Sequence, residues 1–265
     1  VNVLGGKVDD LYGGGKGNNG HISCTGSTDV YLGPDATVRR CYGGGEGAVV
    51  KGDTVLTVEG TVINNVYGGD GSGGTVEGNT QVTLKRGSNA GNVYGGGLAS
   101  NGAVEGSTFV TIESGAIVEG TFAGDATVNG GGHTNVDGST TVTIAGTVSG
   151  TVYGGGSGSV AQGTSVILQS GAKVSDGRVY GGGDGGTITG GASVVVEQGA
   201  AVYSEYPDYG HVYGGSWLAT VTGGTSVTID GKVTGSVYGG GYLSTVTGGI
   251  SVNIGGGAKI GDNTT

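Results

Sequence analysis

The sequence predicts an all-β fold: a right-handed parallel β-helix, or β-solenoid, of about nine coils of 25–33 residues. Three observations lead there. A Tyr-Gly-Gly triplet recurs at near-regular spacing, short segments between glycines alternate apolar and polar residues, and no stretch shows helical spacing.

The triplet occurs at Tyr12, Tyr42, Tyr67, Tyr94, Tyr153, Tyr180, Tyr213 and Tyr238, and Phe122-Ala123-Gly124 occupies the one gap in the series. Steps between these nine positions are 30, 25, 27, 28, 31, 27, 33 and 25 residues. A period of roughly 20–50 residues marks a solenoid, a propeller or an array. Propeller blades need about 40 residues and four longer antiparallel strands, so these units are too short for one. Right-handedness follows from the usual crossover between parallel strands of one sheet.

Four apolar elements recur in each unit. An apolar residue precedes the aromatic one, as in Val66-Tyr67, Val93-Tyr94, Val152-Tyr153 and Val237-Tyr238. A single apolar position follows, at Val50, Val76, Val104, Val136, Ile188, Val221 and Val246. An alternating strand comes next, with pairs such as Leu56 and Val58, Val82 and Leu84, Val110 and Ile112, and Val227 and Ile229. The last is a lone apolar point at Val62, Val118, Val148, Val174, Val202, Val233 and Ile260. Alternation over so few residues gives each strand one buried face, and the glycines are expected to supply positive φ at the corners. One unit cannot bury that face. Stacking at about 4.8 Å per coil completes both core and backbone hydrogen bonding, and nine coils make a rod about 40 Å long.

Composition agrees. The chain has 265 residues, 68 of them Gly and 2 Pro, a level that would suggest disorder if no period were present. A formal net charge of −10 opposes approach to phosphate backbones and anionic lipids, so neither nucleic acid nor a membrane is an expected partner. No apolar run reaches the roughly 18 residues of a membrane span, and no signal-peptide pattern opens the chain. Cys41 stands where other repeats carry an inward Val, which reads as a small buried hydrophobe; a bridge to Cys24 is left open. No linker or composition shift divides residues 1–265, so one β-solenoid domain is expected. The opening Val1-Asn2-Val3 and Lys7-Val8 read like Val252-Asn253-Ile254 and Lys259-Ile260. A solenoid cut flush with its repeats leaves open strand edges, so the chain is expected to be a segment of a longer repeat protein or to assemble end to end.

The iterated V-Y-G-G-G, G-T-V-T-G-G-T and S-V-T-I elements resemble the glycine-rich β-helical repeat regions of large bacterial surface proteins, often termed adhesin-like. The likeness spans nearly the whole chain and rests on repeat grammar alone. It implies an extracellular, cell-surface attached stalk or spacer whose partners are host or cell-surface glycans or proteins.

In a solenoid, equivalent positions form columns, and candidate sites are sought column by column. The aromatic column, Tyr12, Tyr42, Tyr67, Tyr94, Phe122, Tyr153, Tyr180, Tyr213 and Tyr238, reads first as a packing ladder and second as a ligand-binding stripe. Whether the Tyr or its preceding Val points inward is left open. The longest step carries an insertion, Tyr203 to His211, and the next two units place Trp217 and Tyr242 just after the glycine corner. Insertions in repeat proteins map to loops on one face, often the binding face. Tyr203, Tyr206, Tyr209, Trp217 and Tyr242 are therefore candidate ligand-binding residues, suited to sugar rings, against the plainer reading of local packing.

Glu77, Glu105 and Asp137 occupy one position in successive units, after Lys51. Like charges stacked about 5 Å apart are either solvated or bridged by a cation, so calcium is the one candidate metal and no other cofactor is expected. Outward Thr57, Thr83, Thr111, Thr143 and Thr228 raise an ice-binding alternative, weakened by Ile167, Val195 and Asn253 in the same file. The other alternative is a β-helical polysaccharide-processing enzyme. Such enzymes need clustered carboxylates beside Arg or Lys, whereas Arg39, Arg40, Arg86, Arg178 and His21, His133 and His211 are dispersed along the chain; no enzyme is expected.

Overall fold

A computed structural model describes residues 1–17, 23–120 and 124–261. The described residues are all-β with no helix, and the strands stack in parallel as a β-solenoid of about nine turns. The alternating strand of each unit pairs in register with the next. Thr54–Val58 lies on Thr80–Leu84, which lies on Thr108–Ile112, and the file continues through Ala192–Val196 and Thr225–Ile229 to Ile250–Ile254. Their burial alternates as the sequence does: in Thr54–Val58, Thr54, Leu56 and Val58 are buried and the residues between are half-buried.

Two hydrophobic files run the length of the rod. The larger gathers the alternating strand, the lone apolar point and the residue before each aromatic, including Leu56, Val58, Val62 and Val66 of one coil. The smaller is the column Val50, Val76, Val104, Val136, Val160, Ile188 and Val221. The Val of each Val-Tyr pair thus faces the main core, and the Tyr turns to the other side of the strand. Cys41 is fully buried in the same file as Leu11 and Val66, as its position suggests, and burial pushes its thiol up to about 12. Cys24 belongs to the smaller file, paired with Val50, and both cysteines are free thiols.

The first glycine after each Tyr is required for a different reason from the expected one. It does not have positive φ. Its own N–H donates to the Tyr carbonyl of the next coil, as in Gly68 to Tyr94 at 2.9 Å, and this brings two backbones together edge to edge. A Cβ at Gly68 would lie 2.2 Å from the Gly95 carbonyl oxygen, and the same conflict recurs at Gly43, Gly95, Gly154 and Gly181. Positive φ is instead confined to other corners, such as Gly87 at +90° and Gly171 at +90°, where the chain turns after the alternating strand.

Between the two apolar files runs a column of buried threonines that sequence analysis had not separated from ordinary strand residues. The hydroxyls of Thr28, Thr54, Thr80, Thr108, Thr140 and Thr164 donate to the carbonyls of Gly43, Gly68, Gly95, Gly130, Gly154 and Gly181 at 2.5–2.6 Å. Each bond spans the interior of one coil. It supplies a donor to a carbonyl that would otherwise be buried facing the core, an omission that costs about 1–3 kcal/mol.

The last coil presents its apolar face outward. Ile250, Val252 and Ile254 are 56%, 44% and 47% exposed, whereas Val227 and Ile229, one coil earlier, are fully buried.

Two substitutions separate these effects. Gly68→Ala should lose about 3 kcal/mol through the clash with Gly95, while Gly87→Ala, which meets nothing within 4 Å, should lose only about 1 kcal/mol of backbone strain. Chemical denaturation of both variants measures the difference. Thr80→Val keeps the shape and removes the donor to Gly95, so it should cost about 1–3 kcal/mol, whereas Thr57→Val on the half-buried outer file should cost far less.

Candidate functional site

The tyrosine rings stack face to face along one side of the rod. Tyr12, Tyr42, Tyr67 and Tyr94 have centroids 4.6, 5.1 and 4.8 Å apart, and Tyr153, Tyr180, Tyr213 and Tyr238 continue at 5.1, 4.8 and 4.8 Å. Burial raises the phenol values of Tyr12, Tyr42, Tyr67, Tyr94, Tyr153, Tyr180 and Tyr213, those of Tyr42 and Tyr67 to about 12.

Between the two stacks the register corrects the sequence alignment. Phe122 lies outside the described residues, and the position paired with both Tyr94 and Tyr153 is Asn129, followed by its own Gly130-Gly131. The true repeat in this coil is therefore Val128-Asn129-Gly130-Gly131, with a polar residue in place of the aromatic. The substitution breaks the stack. The His133 ring fills in against Tyr94 at 5.3 Å, with its Nδ1 sharing a 2.7 Å hydrogen bond with the Ser157 hydroxyl. Asn129 Oδ1 and Asp184 Oδ1 are both buried without a hydrogen-bond partner. Burial raises the Asp184 carboxyl above the usual carboxylate range, against the opposing pull of its own and Gly185 N–H groups and of His133.

One step further along, the insertion is pinned to the solenoid at both ends. Asp176 has φ +55°, the sole positive value for a non-glycine among the described residues. In that conformation its N–H donates to the Tyr203 carbonyl and its carboxylate accepts from the Ser204 hydroxyl, both at 3.0 Å. Ser204 N–H donates to Thr234 Oγ1 at 3.0 Å, and Gly210 N–H donates to the Gly177 carbonyl at 2.8 Å.

The insertion splits the five candidate aromatics into two groups. Tyr203 and Tyr206 line a cleft of about 550 Å³ together with Asp176, Glu205, Lys232 and Thr234. Tyr209 and Trp217 flank Arg178 instead, and Tyr242 packs on Trp217. The Arg178 guanidinium lies 4.6 Å from the Tyr209 ring and 5.7 Å from the Trp217 ring; Trp217 lies 5.8 Å from Tyr242 and 5.9 Å from Tyr180. Tyr206 meets Tyr209 edge to face at 6.4 Å and so joins the groups. Sequence reasoning found the aromatics but missed Arg178, Asp176 and Lys232. Asp176 and Arg178 belong to the coil before the insertion and Lys232 to the coil after it, and only the stacking of the coils brings them beside the inserted residues.

The remaining candidates form regular columns. Glu77, Glu105 and Asp137 follow Val76, Val104 and Val136, which pair in register, and all three are exposed. No group of three His, Cys, Asp or Glu side chains close enough to hold a metal ion occurs among the described residues. The outer threonine file reads Tyr31, Thr57, Thr83, Thr111, Thr143, Ile167, Val195, Thr228 and Asn253 in space, so it is interrupted where the sequence suggested. His211 accepts from Ser236 N–H at 2.8 Å and packs against the edges of Tyr213 and Tyr238; His21 lies outside the described residues.

No family model, curated protein or solved structure matches this chain.

Because the Asp184 carboxyl is raised in the folded state, its favourable contribution is fully present below its ordinary unfolded value and is lost as pH rises through the folded one. Asp184→Asn should therefore raise the melting temperature by about 2 °C or more at about pH 7 and leave it unchanged at about pH 3, a difference that paired thermal melts resolve.

Proposed function

We propose that the chain is an extracellular structural and adhesive segment, the stalk or spacer of a bacterial surface protein, with a saccharide-binding patch on the face that carries residues 203–211. The observation that carries the first half is the parallel stacking of successive coils between Asn2 and Ile260 among the described residues, which suits a rod that holds distant parts of a polypeptide apart. Every strand between the first and last coils of such a rod is bonded to a neighbour on each side, so the rod bears load without a separate fastening element.

The binding half rests on the aromatics. Trp217, Tyr242, Tyr209 and Tyr206 form a contiguous patch beside a cleft that holds carboxylates and hydroxyls. Rings take the C–H faces of sugars, and polar groups at their margin take the hydroxyls. On a glycan array the wild-type chain should retain a defined set of saccharides, and Trp217→Ala should reduce that signal about tenfold, the loss of about 1.4 kcal/mol. Identical profiles for the two proteins would dismiss saccharide binding at this patch.

A further inference from the structure

We infer that the Arg178 patch selects saccharides bearing a carboxylate; this inference rests on the saccharide-binding reading and names the ligand class. Arg178 is an unpaired cation in an acid-rich chain. Of the charged residues, 21 are acidic and 11 basic, and elsewhere on the rod Arg39, Arg40, Lys16 and Lys85 each have a carboxylate within 2.6–3.2 Å. Arg178 has no carboxylate partner among the described residues. Its contacts are the two rings, Tyr209 and Trp217, and its Nε–H is buried with no acceptor.

The rings fix the guanidinium in place. A guanidinium held by aromatic faces keeps its fork of N–H donors free at the edge, in the geometry that takes a carboxylate through two parallel hydrogen bonds. The Tyr180 hydroxyl, on a fully buried side chain 5.9 Å in ring separation from Trp217, is a second polar group without a partner at this place. Tyr242, 53% exposed, and Trp217 offer the ring faces on which the body of the sugar would lie.

Carboxylate and sulfate both suit a guanidinium. The net charge of −10 decides between them, because a densely sulfated chain is repelled by the rest of the rod, whereas a sugar with one acid group meets only its local counter-charge.

Trp217 is the sole tryptophan of the chain, so its fluorescence reports this patch alone. Wild-type protein would be titrated with array-selected sialylated or uronic-acid oligosaccharides, with the methyl ester of each, and with sulfated oligosaccharides of the same size. The acid form should bind at least about tenfold more tightly than its ester. It should also weaken with added salt while the ester does not. Arg178→Gln should abolish the preference for the acid, and Arg178→Lys should recover only part of it. Far-ultraviolet circular dichroism establishes that each variant is folded, and the ester comparison on wild-type protein tests the inference even if neither variant folds.

Equal binding of acid and ester would overturn the inference and leave the saccharide reading standing. Binding of the sulfated sugars alone would overturn the carboxylate assignment. No response to any saccharide, on the array or by fluorescence, would sink both.

Discussion

The constraint on which the structure depends is the close approach of successive backbones at the Tyr-Gly corner. There a Cβ on the glycine would stand 1.9–2.3 Å from the carbonyl oxygen of the next coil. Glycine is the residue that permits this spacing, and the spacing has two consequences. The glycine carbonyl turns to the interior, where it needs a donor, and a threonine from the strand across the coil provides one. The tyrosine beside it is turned away from the main core and meets its equivalents at 4.6–5.1 Å, close to the rise per coil. Tyrosine, glycine and threonine columns are therefore one device with three parts. Ala192 stands in the threonine file and supplies no hydroxyl in its coil, which shows that one missing strut is tolerated when its neighbours are intact.

The regular coils carry little chemistry, and departures from the repeat carry most of it. Among the described residues, the buried side-chain atoms without hydrogen-bond partners belong to Asn129, Arg178, Tyr180, Asp184 and Ser244, all from the break in the tyrosine stack onward. A repeat satisfies its polar groups once and copies the solution. Where a residue differs from its column, the inherited partners no longer fit, and an orphaned donor or acceptor remains. The same half of the rod bears the insertion, the strained Asp176 and the aromatic patch. The proposed binding patch thus lies where the periodic solution fails.

Electrostatics reinforce the division. The exposed carboxylates Glu77, Glu105 and Asp137 lie along the edge of the earlier coils, where water screens them, and the paired Arg39 and Arg40 are tied to Asp9 and Asp10 at the first coil. Arg178 alone among these cations is left to rings. Its position places a positive charge among aromatic rings in a chain whose net charge is negative, the contrast on which the proposed ligand preference rests.

The period, the strand alternation and the glycine corners determined the solenoid from sequence, because each is a local signal repeated nine times and any one coil can be checked against the others. Column identities such as Val66 with Val93, or Thr57 with Thr83, followed directly. The ladder position between Tyr94 and Tyr153 did not: Phe122 is aromatic and stands two residues before a glycine, yet register, which is fixed by hydrogen bonds to the neighbouring coils, chose Asn129. Only the tertiary structure decided which aromatics meet, that Tyr203 and Tyr206 face a cleft while Tyr209 and Trp217 flank Arg178 with Tyr242 packed on Trp217, and that the Tyr-Gly glycines serve close approach and not positive φ. The physical reason is that a coil's neighbours are about one period away in sequence, so a side chain displaced by an insertion finds partners that no local pattern names.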